Sequence, residues 1–148
     1  MSNAPLDTRL VIERLNMLEQ LQTVGTAADY AAVKGLSSFR TPSAYALLSR
    51  ENAMPNPAGN STGRVRQMTE STFGVVIAVR NYRYSDTDAA DALGPILDAV
   101  RGVIIGWSPP LPGARGCQFV AGQVLDSNDS TLLWAEVYAT QHSIGSTS

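Results

Sequence analysis

From Arg64 to Tyr82 the chain keeps to a two-residue period with no proline to interrupt it. Val65, Thr69, Phe73, Val75, Ile77 and Val79 fall on one side of an extended chain, with Val76 and Ala78 on the other. β-Branched residues dominate the run, so it predicts a strand, with Gly74 as the candidate bend or bulge. Fully extended, these 19 residues reach about 60 Å, against roughly 17–20 Å for an ordinary strand. A domain of 148 residues is not expected to cover that length. The polar first part, Arg64 to Ser71, is therefore expected to project as half of a hairpin arm.

Before this run, Leu6, Leu10, Val11, Leu15, Leu18 and Leu21 recur at steps of three and four. That stripe predicts a helix from Pro5 to Gln22, with Gly25 as its stop. A short second helix is expected from Ala27 to Lys34, and a strand from Ser43 to Arg50. Asn52 to Gly63 holds two prolines, two glycines and three asparagines, which marks a long loop. After the strand run, Ser85 with Asp88 resembles a weak capping box for a third helix, whose stripe is Leu93, Ile96, Leu97, Val100 and Ile104. Gly94-Pro95 predicts a kink there, or two short helices. Trp107 to Gly113 reads as an irregular crossover. Gly116 to Leu125 and Leu132 to Gln141 read as two strands of a hairpin, joined by the polar link Asp126 to Ser130.

The order α, α, β, β, α, β, β implies an α+β fold. A mostly antiparallel or mixed sheet of about four strands would carry helices packed on one face, with an extended β-hairpin arm. We read residues 1–148 as a single domain, 50–71 as the projecting arm and 145–148 as a frayed tail.

Composition narrows the chemistry. Eleven basic against 13 acidic side chains leave a net charge of −2, which disfavours sequence-specific nucleic-acid binding. One cysteine, Cys117, and one histidine, His142, leave no internal disulfide and argue against the common metal clusters. The apolar runs Phe73–Val79 and Val103–Trp107 fall far short of the about 20 residues of a membrane span, and the N-terminus lacks a signal peptide's apolar core. Asn60-Ser61-Thr62 matches a glycosylation acceptor, which is empty without such a signal. These features predict a soluble protein of a reducing compartment that performs no catalysis. Arginine supplies ten of the eleven basic residues, which suits ion-pair contacts between proteins and also fits a GC-rich coding sequence.

Each chemically suggestive residue has a plainer explanation. His142 with Asp126 or Glu136 imitates a base and its orienting acid, but a lone histidine near a strand end is better read as structural. Cys117 lacks any cue for a lowered pKa and reads as a buried thiol. Asp86, Asp88 and Asp91 suit a helix N-terminus better than a cation site. Gly113-Ala-Arg-Gly116 is too short for a phosphate loop. Trp107 and Trp134 read as partly buried anchors and as hot-spot candidates at an interface. Arg50, Glu51, Arg64, Arg66 and Glu70 flank the long loop with alternating charge, which fits an ordinary solvated hairpin and equally a row of ion pairs with a neighbouring subunit. No catalytic residue, cofactor or metal ligand is assigned.

Several segments together resemble a known family. They are the leucine-striped first helix, Ala27-Ala28-Asp29, Met54-Pro-Asn-Pro-Ala-Gly, Arg66-Gln67, Thr72-Phe-Gly-Val-Val-Ile-Ala-Val-Arg-Asn81, Ile105-Gly-Trp-Ser-Pro-Pro110 and Leu132-Leu-Trp-Ala-Glu-Val-Tyr138. Across nearly the whole chain this layout resembles the tail terminator family of long-tailed bacteriophages. The resemblance implies a homohexameric ring at the head-proximal end of the virion tail, assembled in the host cytoplasm. Such a ring caps the tube of major tail tube protein, ends its polymerisation and offers the surface that joins the head–tail connector or head completion protein. DNA would pass through its lumen without specific binding, and no membrane is involved. A neck or head-completion protein is the neighbouring alternative. The alternative from another class is a small cytosolic ligand-binding module or enzyme with a pocket built from Trp107, Trp134 and His142.

Overall fold

The computed structural model describes residues 2–55, 65–81 and 86–146, and of 86–91 the backbone only. Its elements are α1 (Thr8–Leu15), β1 (Thr23–Gly25), α2 (Ala27–Ala32), a 3-10 turn (Leu36–Ser38), β2 (Ser43–Ala53), β3 (Arg66–Arg80), α3 (Asp86–Ile104), β4 (Gln118–Ser127) and β5 (Thr131–Gly145). The five strands form an open sheet in the order β1-β2-β3-β5-β4. β1 runs parallel to β2 and every other neighbouring pair is antiparallel, so the fold is α+β with a mixed sheet.

The period-two run becomes the central strand. On its odd side Phe73, Val75, Ile77 and Val79 join one core with Val11, Leu15, Leu93, Ile96, Val100 and Ile104, so α1 and α3 cover that face as expected. On its even side Val76 and Ala78 join Tyr45 and Leu133 in a smaller cluster closed by Tyr30, Leu36 and Phe39. The short α2 and the 3-10 turn thus pack on the opposite face, a departure from helices on one face alone. β1, which no periodicity announced, adds a fifth strand three residues long.

Several boundaries differ from the sequence reading. The first helix ends at Leu15, not Gln22, and Asp7 rather than Pro5 opens it, its carboxylate accepting from the Arg9 amide. Beyond Asn16, tight turns in which Leu18 donates to Leu15 and Leu21 to Leu18 carry the leucine stripe on without a helix. Gly25 lies in β1 and stops nothing. Gly74 pairs regularly with Leu47 and Val137; the bulge sits instead in β2, between Leu48 and Arg50. α3 is one continuous helix that contains Pro95.

Residues 56–64 of the arm expected over 50–71 lie outside the described residues, and the strands on either side of them are not a two-stranded projection. Thr69–Ser71 pairs with Ala53–Glu51 on one side, Arg66–Ser71 pairs with Gly145–Thr140 on the other, and Thr69 and Ser71 are buried. A third strand, β5, supplies the cover that a 15-residue β3 requires, which removes the objection from length. Nor does 145–148 fray from its start. The Gly145 amide donates to Asn3, and Ser146 exchanges hydrogen bonds with Val65 through its amide and hydroxyl. Most of the loop 52–63, Ser85 of the capping box and residues 147–148 lie outside the described residues.

Candidate assembly interface

The sheet is open on both sides, and its outer strands carry apolar residues into solvent. β4 pairs only with β5, and all ten of its residues are exposed. Phe119, Val120, Val124 and Leu125 are 40–56% exposed. Two bulges leave Val120 and Leu125 without cross-strand partners. A bulge is one device that blunts an edge, and lysine and proline are others. β4 carries neither, and Asp126 is its single charge. On the far side β1 covers β2 only over Ser43–Tyr45, so the outer edge of Ala46–Ala53 has no strand beside it among the described residues. Leu48 on that stretch is 42% exposed. Of the seven exposed large apolar residues among those described, five stand on these two edges.

A row of side chains links the edges. Leu48 is in register with Phe73, Phe73 with Tyr138 and Tyr138 with Phe119, all on the face that carries α1 and α3. Phe73 and Tyr138 stack at 5.6 Å, and Phe119 meets Tyr138 edge-on at 5.9 Å. The middle of the row is fully buried and its two ends are not.

β4 is held in place by a polar cluster that sequence reasoning missed. Glu136, on β5 and fully buried, receives Arg101 Nε at 2.6 Å and Nη2 at 2.8 Å. The Trp134 indole donates to it at 2.8 Å and the Tyr138 hydroxyl at 2.9 Å. Burial pushes the Glu136 carboxyl upward, but the donors together outweigh it and hold the group below its usual range. Burial and the facing carboxylate drive the Tyr138 hydroxyl well up. Arg101 also lies 4.5 Å over the Phe119 ring, so one guanidinium ties α3 to both β5 and β4. Gly122, opposite Glu136, makes this possible: a Cβ there would stand 2.7 Å from the Trp134 ring and 2.8 Å from the Glu136 carboxylate. The sequence signal for the cluster was weak, a lone acid in the apolar β5 and an arginine 35 residues away.

The residues singled out in sequence separate into distinct places. Arg50 and Glu51 are exposed on the free stretch of β2; with the Asn52 amide oxygen turned toward it, Arg50 donates to that oxygen at 3.0 and 2.6 Å. Arg66 is exposed at the start of β3, and half-buried Glu70 lines a shallow recess with Arg115 and Gln118. Arg64 and the side chains of Asp86, Asp88 and Asp91 lie outside the described residues. Trp107 closes the end of α3 beneath Arg14, whose guanidinium is 5.7 Å from its ring and whose Nε donates to the Val103 carbonyl. Trp134 is a packing residue whose N–H is already engaged.

The small-molecule arrangement does not form. His142 is buried eight residues along β5 from Trp134, roughly 27 Å at strand rise, with Nε2 3.3 Å from the Ala4 carbonyl. Glu136 is engaged elsewhere, and Asp126 pairs with Leu133 on the other face. Burial pushes the Cys117 thiol up to about 11, which leaves it protonated and unreactive. The Ala114 and Arg115 amides donate to the Leu111 and Gln141 carbonyls rather than facing an anion. No helix among the described residues is long and apolar enough to cross a membrane.

One comparison shows which family the chain belongs to. The family model described as phage tail terminator protein matches residues 1–148, the whole chain. The chain belongs to the phage tail terminator family. It is thus a structural protein of bacteriophage tail assembly and a component of the virion tail. No curated protein matches the chain. For a tail terminator the two apolar edges are a natural means of contact, since assembly proteins work through surfaces and not through reacting groups.

Proposed function

We propose that this chain closes into a homohexameric ring that caps the tube of major tail tube protein at its head-proximal end. The cap ends polymerisation and offers its outer face to the head–tail connector or head completion protein. The observation that carries the reading is the placement of exposed apolar residues on both open edges of one sheet. Two different patches on opposite sides of a molecule make a heterologous contact, which generates a ring when its rotation closes. Arg50, Glu51 and Arg66, exposed at one end of the sheet, border such a contact and add charge complementarity there. Trp107 and exposed Met17 mark a separate surface for docking. A chain of net charge −2 suits a lumen through which DNA passes without adhering.

The test is to polymerise the tail tube protein of the same virus with and without this chain and measure tube lengths by negative-stain microscopy. Capping predicts shorter tubes, each with extra density at one end. Unchanged tube lengths with this chain bound elsewhere, or not bound, would contradict it.

A further inference from the structure

Resting on the ring reading, we propose that neighbouring copies join by antiparallel pairing of β4 of one with the free stretch Ala46–Ala53 of β2 of the next, so that one sheet runs unbroken around the ring. Neither stretch has another strand on its outer edge among the described residues, and a closed ring is the arrangement in which every such edge disappears. The exposed part of β2, Leu48–Ala53, extends about 20 Å and fits within the about 34 Å of β4.

The strand directions set the sense of pairing. β2 and β5 run one way and β3 and β4 the other. Rotation about an axis along the strands preserves those directions, so β4 meets the next β2 antiparallel, as inside each copy. The apolar side chains commit the occupant to a second copy of this chain. Leu48 at one edge and Phe119 and Val124 at the other project from the same face of the sheet, so both edges present matching apolar rims. Val120 and Leu125, pushed out by the bulges, supply two further anchors.

Two edge variants test this. Val120→Lys with Leu125→Lys places charge on β4 alone, and Leu48→Lys does so on β2 alone. Native mass is measured for each, for their equimolar mixture and for the wild type, with tail tube protein present if the wild type requires it. Each variant is expected to lose the ring while keeping its melting transition. Their mixture should form a one-to-one heterodimer, because one intact β4 and one intact β2 remain. Backbone hydrogen exchange of the wild-type ring, which needs no variant to fold, should gain protection over Gln118–Ser127 and Ala46–Ala53 relative to the monomer. Rings that survive either charge pattern, dimers of Leu48→Lys alone, or protection gained elsewhere would overturn the pairing and leave the ring standing. A wild type that never assembles would overturn the ring itself.

Discussion

Arg101 and Glu136 show how a single pair positions an edge strand. Breaking a buried pair by removing one partner costs about 3–5 kcal/mol, and Arg101, 37% exposed at its side chain, belongs at the lower end. Arg101→Met should therefore lower stability at pH 7 by on the order of 3 kcal/mol in urea unfolding. The pH dependence follows from the lowered Glu136 pKa. Its contribution is complete above the unfolded carboxylate value of about 4.3 and is lost as pH falls through the folded one. Melting temperature against pH should fall more gently below that value in Arg101→Met than in the wild type; parallel curves would assign the acid sensitivity to other groups. Gly122→Ala tests the same seat sterically, with an expected loss of about 1–3 kcal/mol as Trp134 and Glu136 are displaced. Unchanged unfolding would mean that β4 shifts freely at no cost. Neither residue was legible in sequence. Their meaning depends on α3, β4 and β5 converging, which no local pattern records.

At the level of elements, periodicity was legible where burial is one-sided and local. The β3 faces and the α3 stripe are where the sequence puts them, because alternation and the 3.6-residue repeat report directly on what each side touches. The first helix misled because turns of i to i+3 type return Leu18 and Leu21 to the same side that a helix would. The length of β3 misled for a different reason. Whether a long strand is covered depends on β5, whose pairing partner lies some 60 residues away in the chain. In α3, Gly102 is exposed and a Cβ on it would meet nothing within 4 Å. Gly102→Ala should raise stability by about 0.5–1 kcal/mol, read as a higher melting temperature. A fall would point to a contact at that position in the folded chain.

For the molecule as a whole, the property that matters is strand order. β4 and β5 read from sequence as an ordinary hairpin, and only the order β1-β2-β3-β5-β4 reveals that β4 ends the sheet. β1, short as it is, leaves the stretch of β2 beyond Tyr45 without a strand beside it among the described residues. Arg50, Glu51 and Arg66 were legible as exposed, half-buried Glu70 was not, and neither were the apolar edges. Exposure of Val120 or Leu125 is a consequence of topology and not of local composition. Five apolar side chains held in water on two edges cost a monomer solubility, and that cost is removed if the edges meet.

Native mass over a concentration series, with and without the major tail tube protein of the same virus, tests the central claim most directly. A ring cap gives a sixfold mass, formed either by the chain alone or on tube ends. A strict monomer or dimer at every concentration, indifferent to tubes, would contradict it.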